Sequence, residues 1–424
     1  RVFIHSPSKV VLVLNRKKRC QRFFYKIKFF NLLIGMDDLP APLVMEILSR
    51  LTDYSDLARC RLVSKTLNSL SHDVSSINLL CTLSRFLKSR SPETKHLTTP
   101  FKDIFKKLIL DSRSINSVSI GVEKSLAGLQ YDDVEDDSDD LYLTDAVFVA
   151  EWLPRVCGDL RRLSISDFWI QSCWRKSDIL ALISSCCHCL LEIEVKNAWL
   201  SVDGLSPMPT LTNLTLEFIR LDDEDLDKVN DCFPCLRVLH LVGVGGLKDP
   251  KINLLHLRTC QWTVSNAPLS LSICAPNLEK LILKFKKLMV DSLKGAERVQ
   301  VISLESLFNV FPNVSTLTLG PGAWSEAETQ FCTTGLEGET AMKELKEITA
   351  HLLVKDFAIT LSFIFSILDK FSNINGMALL IHREVDCSIA RELISRCATN
   401  HARVRWRWGF WKEGTKDTWM SDGI

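Results

Sequence analysis

Three stretches carry residue types and spacings that could do chemistry. Cys186-Cys187-His188-Cys189 gathers three thiols and an imidazole, donors that zinc prefers. Ligands adjacent in one run cannot easily wrap a tetrahedral ion, and no second cluster stands at finger spacing, so no metal site is expected. Cys232-Phe233-Pro234-Cys235 has the gap of a redox motif but leads into an apolar, strand-like segment without thioredoxin-like surroundings. Arg403 to Trp411 alternates cations with aromatic residues. On a strand, Arg403, Arg405 and Arg407 would share one face and Val404, Trp406 and Trp408 the other. That face could take an anionic ligand or acidic substrate. The preferred reading is a cap, with Trp406, Trp408 and Trp411 closing the end of a core. Phosphate-binding glycine loops, GxSxG elbows and HExxH pairs are absent from the sequence. The expectation is a non-enzyme with no cofactor and no metal.

The whole-chain numbers point the same way. The 424 residues are 46% hydrophobic and 24% charged, ordinary for a globular chain of two to three domains. No apolar run reaches the ~20 residues of a membrane-spanning helix, and no membrane partner is expected. Fifteen cysteines, scattered and odd in number, suggest reduced thiols in a cytosolic or nuclear compartment. The net charge of +1 conceals a split. Nine of the 52 Lys and Arg lie in residues 1–35, which hold no acid, leaving 43 basic against 51 acidic residues in the remainder. A body at about −8 disfavours nucleic acid as a partner. Residues 1–35 do not match a secretory signal. They are expected to be a basic extension, disordered or upstream of the natural start, with nuclear import or membrane-surface contact as the other readings.

Residues 36–75 form the first organised segment. Pro42 suits the first turn of a helix, and Leu43, Ile47 and Leu51 recur every four residues with Leu48 beside them. Ser55 is placed to cap a second short helix carrying Leu57 and Cys60, and Ser64 a third carrying Leu67. Three helices in so few residues cannot bury a core that is stable alone, so apolar positions on several faces imply a partner surface.

Leu39-Pro40, Ile47-Leu48-Ser49-Arg50-Leu51, Asp56-Leu57 and Cys60-Arg61-Leu62-Val63-Ser64-Lys65 resemble the F-box nearly position by position. The resemblance implies docking into a Skp-type adaptor, and through it onto a cullin. It implies a contact and core set of Leu39, Pro40, Leu43, Ile47, Leu48, Leu51, Leu57, Cys60, Val63, Ser64 and Leu67. One departure stands out: the family commonly has Trp where this chain has Leu67, a smaller anchor.

Residues 76–150 are read as linker helices, with helical spacing over 77–90 and 101–110, a strand around Ile115-Val118-Ile120, and a solvated acidic loop at 131–140. Residues 151–400 hold a degenerate repeat of apolar, two variable, apolar, one variable, apolar. Copies begin at Leu160, Leu190, Leu211, Leu236, Ile252, Leu278, Val314, Leu345 and Ile374. The last two apolar positions lie two apart and point to one side of a short strand, which only a stacked neighbour can cover. Asp178–Cys189 and Asp222–Cys232 are examples of helical segments between copies. With Phe233-Pro234, Ala275-Pro276-Asn277 and Phe311-Pro312-Asn313 before the motif, the pattern resembles the plant F-box/leucine-rich-repeat group.

The expected fold is α/β: a small three-helix F-box, then an irregular leucine-rich-repeat solenoid with a parallel sheet on its concave face and helices outside. Residues 401–424 form a Trp/Arg-rich cap. Ser164, Glu194, Thr215, His240, His256 and Thr318 lie between strand leucines and are the candidate target-binding residues. The expected function is substrate recognition in a Skp–cullin–F-box ubiquitin ligase, with a repeat scaffold or ligand sensor outside any ligase as the alternative.

Overall fold

The computed structural model describes residues 39–51, 54–91, 93, 97–128, 139–169, 172–266, 271–287, 311–335 and 343–420. The extension 1–35 and residues 131–138 of the acidic run lie outside them. The chain divides into two compact units, at Val74 and Ser75.

Among the described residues the first unit holds three helices: α1 (Ala41–Ser49), α2 (Tyr54–Val63) and α3 (Lys65–Ser71). The Pro40 carbonyl accepts the amides of Leu43 and Val44 at 2.9 and 3.2 Å, and Pro42 sits in the first turn, where no amide is needed. Ser64 caps α3 as expected, its Oγ accepting the amides of Thr66 at 3.1 Å and Leu67 at 3.4 Å. Helix α2 begins at Tyr54, one residue before the Ser55 expected to precede it. Val44, Leu48, Leu57, Leu67 and Val74 are buried. Arg61 Nε donates to the buried Ser71 Oγ at 2.8 Å.

The second unit is built on one long sheet. Its strands are β1 (Ser76–Cys81), β2 (Ser117–Val122), β3 (Arg162–Asp167), β4 (Lys176–Ser177), β5 (Glu192–Leu200), β6 (Asn213–Arg220) and β7 (Val238–Val242). It continues, past β8 (Lys251–Asn253), with β9 (Thr259–Asn266), and past β10 (Ser272–Cys274), with β11 (Lys280–Lys287), β12 (Thr316–Leu319), β13 (Glu347–Leu352), β14 (Gly376–His382), β15 (Arg405–Trp411) and β16 (Thr418–Trp419). From β1 to β15 the path runs in chain order through parallel neighbours, and β16 closes it antiparallel on β15. Short β4 hangs on β5, while β8 and β10 pair apart from the main sheet.

Residues 76–150, read from sequence as linker helices, therefore supply two strands of the same sheet. Ile77 lies on β1, and the helix begins only at Leu83 (α4, Leu83–Arg90). Helix α5 (Phe101–Asp111) follows, and the last acid of the 131–140 run, Asp140, caps it by accepting the amides of Phe101 and Lys102 at 2.7 and 2.9 Å. Later connections carry α6 (Ala146–Val156), α7 (Ile179–Cys186), α8 (Asp223–Cys232), α9 (Pro321–Thr334), α10 (Phe357–Lys370) and α11 (Cys387–Asn400). Helices α7 and α8 are the two expected at 178–189 and 222–232, and Asp222 and Asp225 close a reciprocal capping box on α8.

The repeat has a physical signature at its turn. The amide of the first apolar residue donates to the carbonyl three residues back: Leu211 to Met208 at 3.2 Å, Leu236 to Phe233 at 3.3 Å, Leu278 to Ala275 at 3.1 Å. Side-chain amides tie turn to turn, with Asn277 Nδ2 on the Leu255 carbonyl, Asn313 on Pro276 and Asn373 on Lys343, at 2.7 to 2.8 Å. This is why Pro-Asn recurs before the motif: the amide satisfies a carbonyl that the previous repeat leaves over.

The same signature corrects one register. Leu257 donates to the Leu254 carbonyl at 3.1 Å, so the copy reads Leu257-Cys260-Trp262, with Cys260 beside Leu239 and Trp262 beside Leu241. The sequence reading began this copy at Ile252, which lies on β8. Ile252, Leu255 and Leu257 also satisfy the spacing, whereas Cys260 and Trp262 fill the strand positions without a leucine.

Buried thiols behave as small apolar groups. Burial pushes the thiols of Cys187, Cys260 and Cys397 up to about 12, far from the thiolate a ligand or nucleophile needs. Among the described residues no His, Cys, Asp and Glu group has metal-binding geometry, and no helix is long and apolar enough to cross a membrane.

Two substitutions test this packing. Gly246 has φ of +100°, and a Cβ there would fall 2.2 Å from the Leu221 carbonyl oxygen. Gly246→Ala should cost about 2 kcal/mol or more in urea denaturation, since the clash is with backbone. Asp167, at the end of β3, is fully buried, accepts the Thr144 amide at 2.7 Å and hydroxyl at 2.8 Å, and is pushed up to about 6, by burial first. The folded chain thus holds this proton more tightly than the unfolded one, whose carboxyl titrates near 4. Its contribution favours folding below about pH 4 and is lost as pH rises through about 6. Asp167→Asn should flatten the melting-temperature profile over that interval; an unchanged profile would contradict the assignment.

Candidate protein-interaction surfaces

The sequence-derived set of the first unit separates by burial. Leu48, Leu57 and Leu67 are core, together with Val44, which the sequence reading missed although it stands four residues before Leu48. Leu39, Ile47, Leu51, Cys60 and Ser64 are half-buried, and Pro40 is exposed. Leu43 is 53% exposed, Val63 62% and the neighbouring Leu62 89%. The stripe Leu43–Ile47 that the periodicity picked out is thus the outer one, and Val44–Leu48 faces inward. Exposed aliphatic side chains on a unit this small lose solvation free energy that only a covering surface recovers, ~1.5–3 kcal/mol for each such side chain fully buried.

The second surface is the sheet face opposite the buried leucines. Alternation is regular: Leu163, Ile193, Leu214, Leu239, Cys260, Leu281, Leu317, Ile348 and Met377 are buried, and the residues after them face out. Ser164, Glu194, Thr215 and His240 lie side by side in one row across β3, β5, β6 and β7. The row continues through Gln261 and Ile282 to Thr318, then Thr349, Ala378 and Arg407. His256 is not in it. It sits exposed in the turn before β9, and Gln261 occupies the place assigned to it, as the corrected register requires. Asn78 and Ser119 begin the row on β1 and β2.

Polar contacts organise the first half of this face. Ser164 Oγ donates to Glu194 at 2.6 Å, and Lys196 Nζ lies 2.9 Å from Glu194 and 3.3 Å from Glu217. Burial, and next Lys280, hold the His240 imidazole below its ordinary value.

The Arg/Trp stretch meets both of its readings in part. Arg405 and Arg407 face out of β15; Trp406 and Trp408 are half-buried and stacked at 5.5 Å, and Trp411 is buried with Nε1 donating to the Leu352 carbonyl at 3.2 Å. Arg403 does not join the other two. It precedes the strand and donates to the carbonyls of Leu368 and Ser372 at the end of α10, at 2.8 and 2.6 Å. The cysteine cluster is not convergent either: Cys187 is buried, His188 is exposed, and Cys232 is raised by burial.

Comparison with known proteins places this architecture. Residues 36–77 match the F-box-like family. An F-box/LRR-repeat protein of Arabidopsis thaliana is 49% identical over 449 residues, covering 91% of this chain and all of the relative. An F-box protein of the same plant is 23% identical over 291 residues, covering 67% of this chain and 59% of that protein. With three F-box-like helices ahead of a parallel repeat sheet, and identity at this level across both, the chain belongs to the plant F-box/leucine-rich-repeat protein family.

Proposed function

We propose that the protein is the substrate-recognition subunit of a Skp–cullin–F-box ubiquitin ligase. The observation that carries the reading is the uncovered apolar set Leu43, Leu62 and Val63 on an F-box-like unit. The adaptor covers these side chains together with Pro40 and Ile47, and the repeat sheet holds the target. Neither unit needs a reactive group. Holding a target near the ubiquitin-charged enzyme raises the effective concentration of its lysines, which is a proximity effect. The setting is cytosolic or nuclear, where the adaptor and reduced thiols coexist.

The test is proximity labelling by the full chain, with the proteasome blocked and running. Proteins labelled by the wild type that accumulate only when degradation is blocked are the expected result. With Leu39→Ala and Pro40→Ala combined, the same set should be labelled equally whether the proteasome is blocked or running. A labelled set indifferent to both treatments would contradict the proposal.

A further inference from the structure

The open face of the sheet changes charge along its length. On β3, β5 and β6 it carries Arg162, Glu192, Glu194, Lys196 and Glu217, tied by the ion pairs of Lys196. On β7 and β9 it is uncharged, apart from the protonation state of His240. From β11 onward the sign turns. Lys280 and Lys284 face out of β11, Arg405 and Arg407 out of β15. Against these four cations the face presents Glu347, which lies 2.9 Å from Arg405 in a well-exposed pair, and so screens it weakly. Asp417 stands at one end, where His351 contacts it at 3.3 Å.

Between the two cationic strands the floor is low. Its outward residues are Thr316 and Thr318 on β12, Glu347 and Thr349 on β13, and Gly376 and Ala378 on β14, so Glu347, turned to Arg405, is the one long side chain among them. The hydroxyls of the three threonines make no side-chain hydrogen bond among the described residues. Arg407 is held in place by stacking over the Trp419 ring at 4.2 Å. Four strand steps separate β11 from β15, about 19 Å at the usual spacing. An extended chain covers that in about six residues.

From this geometry we propose that β11 to β15 bind an extended acidic segment of the target protein. Asp or Glu side chains about six residues apart engage Lys280 and Lys284 at one end and Arg405 and Arg407 at the other. Small residues of the segment lie over the threonine floor and take its free hydroxyls. The proposal rests on the substrate-receptor reading and gives that reading a target class. A long polyanion fits poorly, because the glutamates of β5 and β6 and an acidic body would repel its continuation.

The probe is a fluorescein-labelled octapeptide with two diglutamate ends separated by four serine and alanine residues. It is titrated by fluorescence anisotropy against the full chain, and adaptor binding is measured in parallel. Saturable binding is expected, absent for the glutamine version and weakened about tenfold or more between about 0.05 and 0.3 M salt. Lys280→Glu with Lys284→Glu, and separately Arg407→Glu, should each weaken it about tenfold or more while adaptor binding stays unchanged. The first pair lies away from the capping strand, so a folding defect at β15 cannot mimic its effect. No binding by the wild type, equal binding by the variants, or binding only of a phosphoserine version overturns the proposal. Adaptor binding without peptide binding defeats this surface alone; peptide binding without adaptor binding defeats the ligase reading instead.

Discussion

A full-length chain carrying Leu43→Asp and Val63→Asp should lose affinity for a Skp-type adaptor by about a hundredfold or more, with its melting temperature almost unchanged. Both side chains are more than half exposed, so the folded chain alone loses little when they become polar. In a covered interface each becomes a buried carboxylate without a partner, and anchors of this kind dominate binding energy at ~2 kcal/mol or more each. The inward pair shows the opposite pattern. Val44→Asp places a charge at a fully buried position and should unfold the first unit outright. Adaptor titration beside thermal denaturation separates the two cases. Equal adaptor affinity for wild type and the outer double variant would show that these residues are not the docking surface.

Trp324→Ala should be the most destabilising single change in the later repeats, at ~3–5 kcal/mol. Trp324 is fully buried on α9, with its ring 4.9 Å from that of Phe363 on α10, and its Nε1 donates to Glu328 at 2.9 Å. Truncation opens a cavity between the two helices. It also strips a donor from Glu328, whose carboxyl burial already holds above its usual range. Repeat stacks transmit such damage mainly to neighbours. Urea unfolding should therefore show an earlier transition, and hydrogen exchange should quicken over β12 to β14 while β1 to β3 stay protected. Trp324→Phe, which keeps most of the volume, should recover more than half of the loss.

Much of this was legible in the residues, and the failures have physical causes. Where a copy used Leu, Ile or Val, the two-apart spacing identified the strand, and Ser164, Glu194, Thr215, His240 and Thr318 fell on the outward face as expected. Where Cys260 and Trp262 fill the same positions, the spacing is met instead by Ile252, Leu255 and Leu257, which puts His256 in the place of Gln261. Strand β1 was missed because Ile77–Arg90 reads as one helix, whereas β2, expected as a strand around Ile115-Val118-Ile120, carries no leucine to join it to the repeat. On α1, the spacing picked out Leu43–Ile47 and passed over Val44–Leu48, one residue along the helix. Pattern alone could not tell which met the core, since both Leu43–Ile47 and Val44–Leu48 are apolar. Arg403 was misassigned because alternation continues past the strand's true start. The charge reversal along the open face was illegible because it depends on which strands are neighbours, not on local composition.

The central claim, that the first unit docks an adaptor through its outward apolar residues, is tested most directly by mixing the full chain with a purified Skp-type adaptor. The complex is then read by sedimentation velocity. The account predicts a single one-to-one species at micromolar concentrations, which reverts to two separate components when Leu43→Asp and Val63→Asp are introduced. Two separate components for the wild type, or an intact complex for the double variant, would contradict it.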